Sequence, residues 1–276
     1  DGQLFAPAAV LVLSVGEEQV RDRVLHQPLR GDWVQQLNEL VPQLEGCDWF
    51  YLLQAGDRLQ ESALLILAER IANTPAMLCA YSDEGALVEG ESSEPVFKPD
   101  FNLDLMRSYP YVGRALAFSR ERFMAEGGFD PRHGELAPHD LLWRMVEAAG
   151  PRTIEHIADI QLESEFSFAQ WLSRSQVIEA SEGLVAAHLQ RIGVEHRIVH
   201  LRLDILRGIG AQLLMILIHR PRDHIEMHPL GGFRLLIHEV RQAFRRSIGQ
   251  PFVNCQPVAL RFRNLLTLIV QEQLIG

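Results

Sequence analysis

The chain has 276 residues, of which 47% are hydrophobic and 22% are charged, and its formal net charge at pH 7 is −10. These values are typical of one large folded domain with an appendage, and they exclude a chain that is disordered over most of its length. The acidic balance also argues against nucleic acid as a partner, because phosphate backbones are recognised by positively charged surfaces.

Targeting signals and cysteines favour a cytoplasmic protein. No apolar run reaches the roughly 20 residues that a membrane-spanning helix needs, and the start of the chain lacks the pattern of a signal peptide. Because the chain begins at Asp1 and not at a methionine, we expect a fragment or a processed form. Cys47, Cys79 and Cys255 are widely separated and odd in number, which argues against a disulfide framework. A reducing cytoplasm is therefore the expected location.

The first part of the chain alternates between predicted strands and predicted helices. Residues 8–13, 49–53 and 77–81 are short apolar runs with the pattern of buried strands. Residues 33–44 and 61–73, which lie between these runs, carry apolar side chains at helical spacing. This order predicts the α/β class, with a Rossmann-like, mainly parallel sheet flanked by helices.

The middle of the chain has a less regular pattern. Residues 82–93 are acidic and contain glycine, which predicts a hairpin or excursion, and residues 121–126 predict a short helix. A helix from residue 138 to about 149 follows, because proline suits the first helical turn. Residues 154–160 predict an edge strand, and residues 166–192 form a long amphipathic stretch.

The last part of the chain differs in charge from the rest. Residues 201–276 contain ten arginines against five acidic residues, so a basic segment follows an acidic body at residues 1–200. Residues 212–219, 233–246 and 260–274 predict helices separated by proline and glycine clusters, and hence a mainly helical C-terminal segment. The middle helix is basic and amphipathic, which suits either peripheral contact with an anionic membrane or packing on a neighbouring element.

Three aspartates follow predicted strands or open a predicted helix. Asp57 comes after the strand at 49–53, Asp83 follows the strand at 77–81, and Asp140 lies in the first turn of the helix at 138–149. In open α/β sheets, ligands bind at the carboxyl ends of the strands. Each aspartate taken alone is also explained as a turn or cap residue, because aspartate is favoured there for local hydrogen bonding.

Five motifs in a fixed order, between residues 48 and 160, resemble glycosyltransferase family 2, whose members have the GT-A fold. Rhamnosyltransferase-like enzymes of O-antigen or flagellin glycan biosynthesis belong to the type that is resembled. The motifs are WFYLLQAGD at 49–57, YSDE at 81–84, FKPDF at 97–101, YVG at 111–113 with AFSR at 117–120, and GGFD at 127–130 with HDLLWR at 139–144.

The resemblance implies transfer of a sugar from a nucleotide-diphosphate sugar to a hydroxyl of a glycan or protein acceptor, with inversion at the anomeric carbon. The acceptor hydroxyl is a weak nucleophile and needs a base, and the matching position is Asp140. The positions that the resemblance assigns to the acceptor side are Lys98, Asp100, Gly127, Gly128 and His139.

The family's metal-binding D-x-D motif is altered in this chain. Its three positions are Gln54-Ala55-Gly56, and Asp57 is the acidic residue that remains. A site for Mg²⁺ or Mn²⁺ would have to be rebuilt from Asp57, Asp83 and Glu163, of which Glu163 stands near the place of the family's late histidine ligand. The diphosphate would then be bound by Asp57 and Asp83 through the metal, or directly by two arginines, Arg58 and Arg114.

Other functions are compatible with parts of the sequence. The chain is either a transferase or a degenerate, non-catalytic GT-A-like domain that acts as a scaffold or interaction module beside flanking glycosyltransferase domains. A zinc site built from His133, His139 and His156 lacks a tight ligand spacing. The absence of G-x-S-x-G, P-loop and dinucleotide-binding motifs argues against a hydrolase, an NTPase and a dehydrogenase.

Overall fold

A computed structural model describes residues 2–15, 19–21, 23–194, 196–202, 212–218 and 265–270. Within these ranges the chain forms strands and helices in mixed order. The strands are β1 Ala9–Ser14, β2 Gln19–Arg21, β3 Val24–Pro28, β4 Trp49–Gln54, β5 Asp57–Leu59, β6 Cys79–Val88, β7 Glu91–Val96, β8 Ala117–Ser119, β9 Ile154–Ser164, β10 His196–Arg202, β11 Gln212–Ile218 and β12 Leu265–Val270. The helices are α1 Trp33–Leu40, α2 Ala63–Asn73, α3 Leu103–Ser108, α4 Arg120–Ala125, α5 Ala137–Ala149, α6 Phe168–Leu172 and α7 Ser175–Arg191, with short 3₁₀ turns at Val41–Gln43, Pro131–Leu136 and Pro151–Thr153.

The main sheet has the strand order β2-β3-β1-β12-β4-β8-β6-β9-β5, and β7 forms a hairpin with β6. Strands β3, β1, β12 and β4 run parallel to one another, and β6 is parallel to β9. Strand β8 is antiparallel to both of its neighbours, β4 and β6. The α/β class is confirmed, and the sheet is mixed: six strands, β1, β3, β4, β6, β9 and β12, form its parallel ladders, and β2, β5, β7 and β8 each pair antiparallel.

Helices and 3₁₀ turns cover the sheet, and β4 shows how both faces become buried. Phe50 and Leu52 point into the larger apolar cluster, which includes side chains of α1, α4, α5 and α7. Trp49, Tyr51 and Leu53 point into the smaller cluster, which includes side chains of α2. Successive side chains of a strand alternate between faces, so a continuously apolar strand requires cover on both sides.

The predicted helices after residue 200 are wrong wherever the structure describes them. Residues 212–218 form β11, which pairs antiparallel with β10, and residues 265–270 form β12, which lies between β1 and β4. Runs such as LLTLIV are short and apolar apart from one threonine, and hydrophobic periodicity alone does not separate a buried strand from a helix there. The predicted basic helix at 233–246 lies outside the described residues.

Two further expectations change in detail. The strand predicted at the sheet edge over 154–160 is part of β9, which lies between β6 and β5. The amphipathic stretch at 166–192 is two helices, α6 and α7, interrupted at Ser173 and Arg174. None of the helices in the described ranges combines the length and apolarity needed to cross a membrane.

Candidate active-site cleft

A cleft with about 560 Å³ of empty space opens at the carboxyl end of β4. This is the place where open α/β sheets bind ligands. The cleft walls are largely apolar or aromatic, with a few polar groups, which is the usual composition of a small-molecule site. The lining residues are Trp33, Leu52, Leu53, Gln54, Arg114, Glu135, Pro138, Trp171 and Arg174.

One wall of the cleft is built around the guanidinium group of Arg114. Its Nε donates to Gln54 Oε1 at 2.9 Å, and its Nη2 donates to Asp57 Oδ1 and to Ser164 Oγ, both at 2.5 Å. The Gln54 backbone N–H donates to Asp57 Oδ2 at 2.8 Å, which closes the turn after β4. Arg114 thus places a positive charge beside the altered D-x-D positions.

The Asp57 carboxylate is fully buried behind Arg114. Burial raises its pKa, and the neighbouring positive charge of Arg114 opposes that rise. A metal ion at Asp57 would have to displace or share the contacts of Arg114. Asp57 lies behind Arg114, which lines the cleft, and does not itself line the open space.

Asp83 belongs to a separate group of contacts. Its Oδ1 accepts the backbone N–H of Lys98 at 2.8 Å and lies 2.9 Å from Nε2 of His156. The other ring nitrogen of His156 lies 3.2 Å from Oδ1 of Asp100, whose side chain is 84% exposed. The Tyr81 ring stacks on the imidazole with a centroid distance of 4.8 Å. His156 therefore joins two carboxylates that the sequence assigned to different sides of the site.

The buried ammonium group of Lys98 contacts two neighbouring segments. Its Nζ donates to the Val112 carbonyl at 3.0 Å and lies 3.3 Å from Glu84 Oε2. Burial lowers the pKa of Lys98, and the Glu84 carboxylate opposes this effect. A Cβ at Gly113, where φ is +82°, would lie 2.7 Å from Nζ, so this position favours glycine. Lys98 therefore holds the segment at Val112, which leads to Arg114 in the cleft wall, against Glu84 of β6.

Asp140 is buried in the first turn of α5, and its side chain is 2% exposed. Its Oδ2 accepts from Arg144 Nε at 2.8 Å, and its Oδ1 accepts from Arg191 Nη1 at 3.0 Å. His133 Nε2 lies 3.6 Å from Oδ1. Both oxygens of the predicted base are thus engaged by guanidinium groups, and Asp140 is not among the residues that line the cleft.

His139 is packed inside the fold, and Gly127 and Gly128 both have a positive φ angle. His139 is fully buried and stacks on Trp171 at 5.7 Å, and burial lowers its pKa to about 3, so the ring is neutral at physiological pH. At Gly128, φ is +81° and a Cβ would lie 2.5 Å from Asn38 Oδ1. Gly127, also at positive φ, has nothing within 4 Å of a built Cβ. His139 stands behind the cleft wall and not in the open space.

The proposed metal ligands are not brought together. In the part of the chain that the structure describes, Asp57, Asp83 and Glu163 do not place ligand atoms within 4.8 Å of one another. Glu163 is buried on β9, where its cross-strand neighbour on β5 is the exposed Arg58. Arg58 does not line the cleft.

The cleft contains groups that the motifs did not identify. Trp33 begins α1 and contacts Phe129 edge to face at 6.5 Å. Arg174 Nη1 donates to Glu135 Oε1 at 2.6 Å, and its guanidinium lies 4.6 Å from the centroid of the Phe166 ring. Arg174 lies at the break between α6 and α7, within the stretch 166–192 that the sequence shows only as amphipathic.

The chain is similar to parts of longer proteins. It is 31% identical to the O-antigen biosynthesis protein RfbC of Myxococcus xanthus over 199 residues, which are 70% of this chain and 15% of that protein. It is 29% identical to the uncharacterized protein y4gI of Sinorhizobium fredii over 141 residues, which are 51% of this chain and again 15% of the relative. No family model matches the chain. The matched region thus spans about 15% of the length of each of these relatives.

Proposed function

We propose that this chain is a GT-A-like, family 2 glycosyltransferase domain of a longer bacterial protein of cell-surface polysaccharide synthesis. The observation that carries the proposal is the cleft at the end of β4, which is lined by the guanidinium groups of Arg114 and Arg174. The relative from Myxococcus xanthus is named an O-antigen biosynthesis protein, which supports a role in polysaccharide synthesis. The donor is a nucleotide-diphosphate sugar, and the acceptor is a hydroxyl of a glycan or protein.

The charge on the leaving group decides what the cleft has to supply. Departure of a nucleoside diphosphate develops negative charge, which a metal ion or fixed guanidinium groups stabilise. Arginine forms charge-assisted hydrogen bonds to phosphate oxygens, and Gln54 orients the Arg114 guanidinium group. We therefore propose that Arg114 and Arg174 neutralise the diphosphate and that Mg²⁺ or Mn²⁺ is dispensable. Direct displacement by the acceptor hydroxyl would invert the anomeric centre.

The second candidate is a non-catalytic scaffold domain. It is favoured by the environment of Asp140, because guanidinium groups occupy both carboxylate oxygens and Asp140 does not line the cleft. In that case the domain would bind a glycan, or support flanking glycosyltransferase domains, without transferring sugar. A cytoplasmic location with peripheral membrane contact remains a prediction from the sequence.

Calorimetric titration with UDP, GDP and dTDP, each with and without Mn²⁺, tests the proposal. We expect one nucleotide to bind with the same affinity in the presence and absence of the metal. Arg114→Gln should weaken that binding by about tenfold or more, because a charge-assisted contact is lost. The matched control is Arg70→Gln, since Arg70 is exposed and pairs with Glu155 away from the cleft. A folded protein that binds none of the three nucleotides would favour the scaffold.

A further inference from the structure

Two buried ion pairs lie behind the wall of the cleft. In the first, Arg114 Nη2 lies 2.5 Å from Asp57 Oδ1. In the second, Lys98 Nζ lies 3.3 Å from Glu84 Oε2, and the two side chains are only 3% and 5% exposed. Burial, and to a smaller extent the charge of Glu84, raise the pKa of Asp57. The two pairs are therefore close enough to interact.

The four charges of these pairs cancel, and Arg114 is the member that lines the cleft. Without the ammonium group of Lys98, one negative charge in the group would have no counterpart. A buried carboxylate that loses its partner is costly, so it is drawn to a cation that remains. Within this group, the cation that remains for Glu84 is Arg114. Burial, and to a smaller extent the charge of Arg114, lower the pKa of Lys98, so the two cations are near each other.

Lys98 is also joined to Arg114 through the backbone. Its Nζ donates to the carbonyl of Val112, two residues before Arg114, and Gly113 lies between them. A Cβ built on Gly113 would lie 2.7 Å from Nζ. Lys98 is the only lysine of the chain, and a guanidinium group is larger than an ammonium group. The close contact at Gly113 therefore favours lysine at this position.

We propose that Lys98 is a positioning residue for the diphosphate site, an inference that rests on the function proposed above. By neutralising Glu84, its ammonium group leaves the Arg114 guanidinium directed at the cleft and available to an anionic ligand. Arg114 already shares its charge with Asp57, so a second carboxylate partner would leave the cleft wall negative. Lys98 does not line the cleft, and it acts on the ligand through Arg114.

The test is calorimetric titration of the full chain with UDP, GDP and dTDP, using Lys98→Met, Glu84→Gln and the variant that combines both. Lys98→Met should weaken binding by about fivefold or more, because it leaves an unpaired negative charge behind the cleft. The combined variant has neither charge, so its Kd should return to within about twofold of wild type. Glu84→Gln alone should bind at least as tightly as wild type. The control is Tyr81→Phe, which removes a 2.6 Å hydrogen bond to the Pro99 carbonyl without a change of charge and should leave Kd unaltered.

The outcomes separate this inference from the proposed function. A wild-type Kd in Lys98→Met, or a folded combined variant that binds as weakly as Lys98→Met, would overturn the role of Lys98 and leave nucleotide binding intact. Thermal unfolding shows whether each variant is folded. If Lys98→Met does not fold, Glu84→Gln decides, because weaker binding than wild type would contradict the inference. Failure of every nucleotide to bind the wild-type chain would remove the proposed function and this inference with it.

Discussion

Two buried carboxylates, Asp57 and Asp140, are both bound by arginine, and the difference lies in what else each arginine contacts. Arg114, the partner of Asp57, also contacts Gln54 and Ser164 and lines the cleft. Arg144, a partner of Asp140, donates its remaining N–H groups to backbone carbonyls of the turn after α4. Arg114 therefore faces the cleft, and Arg144 hydrogen-bonds groups inside the fold.

The role of a buried ion pair depends on all the hydrogen bonds that its arginine makes. The second partner of Asp140, Arg191, also contacts Glu147, and Glu147 in turn contacts His188. This network joins α5 to α7 and to the end of α4. Such a network is costly to interrupt, because removal of one member leaves a buried charge without its partner. The Asp57 group is smaller, and its members Gln54 and Arg114 line the cleft.

Interruption of the Asp140 network should give the largest effect. We expect Arg144→Met to lower the free energy of unfolding by about 3 kcal/mol, the cost of leaving a buried carboxylate short of a partner. The measurement is the denaturant midpoint at pH 7. Arg132→Met is the control, because Arg132 forms an ion pair with Asp130 at the surface and its side chain is 85% exposed. Equal midpoints for the two variants would contradict the structural role of the Asp140 network.

The contribution of His139 to the free energy of unfolding can be measured by its dependence on pH. The pKa of His139 is lowered from 6.5 to about 3 by burial, so the unfolded chain binds a proton that the folded chain excludes. Stability from this group is complete above pH 6.5 and is lost as the pH falls towards 3. At pH 4 the loss should be about 3 kcal/mol relative to pH 7. The His139→Leu variant should lack this part of the pH dependence in denaturant unfolding, and an unchanged pH dependence would exclude His139 as its source.

The Asp57 group should show a smaller effect that depends on pH in the opposite direction. We expect Arg114→Met to lower the unfolding free energy by about 2 kcal/mol at pH 8, because it leaves Asp57 buried and charged. Burial already raises the pKa of Asp57, and loss of Arg114 raises it further, so the folded variant gains a proton before the unfolded chain does. The deficit should therefore shrink as the pH is lowered to 5.

A double-mutant cycle with Asp57→Asn provides the control for this prediction. Asp57→Asn removes the charge but keeps the shape, so the double variant should recover part of the stability that Arg114→Met loses. Additive losses in the double variant would mean that the two side chains do not stabilise each other. Nucleotide titration distinguishes the two arginines, because Arg114→Met should weaken nucleotide binding and Arg144→Met should not.

Much of the fold could be predicted because it depends on local patterns. The run WFYLL at 49–53 is apolar on both faces, and it forms β4 at the centre of the sheet with helices on both sides. Residues 82–93 become most of the β6–β7 hairpin, as their glycine and acidic residues indicate. The strand β12 could not be predicted, because its identity depends on distant partners. Thr267, for example, pairs with Val10 and Tyr51.

The site was less predictable for a related reason. The positions of Asp57 and Asp140 follow from strand ends and helix starts, but Arg114 and Arg191, which bind them, come from far along the chain. Arg114 lies 57 residues after Asp57, and Arg191 lies 51 residues after Asp140. No local pattern indicates such pairs, so the sequence suggested available carboxylates where the structure has guanidinium contacts. Glu135 and Arg174 carry no motif, and only the tertiary fold places them at the cleft.

The smallest effect is expected for an arginine that the sequence assigned to the diphosphate and the structure places elsewhere. Arg58 is exposed on β5 and does not line the cleft, so Arg58→Gln should change the Kd of the bound nucleotide by less than about twofold. Arg174→Gln is the matched comparison and should weaken binding by about fivefold, because it removes one of the two cleft guanidinium groups. Calorimetric titration at two salt concentrations measures both, since a weak long-range effect of Arg58 would fade at high salt whereas a direct contact would persist. If Arg58→Gln weakened binding more than Arg174→Gln at both concentrations, the nucleotide would lie along β5 and β9, and the cleft at the end of β4 would have another role.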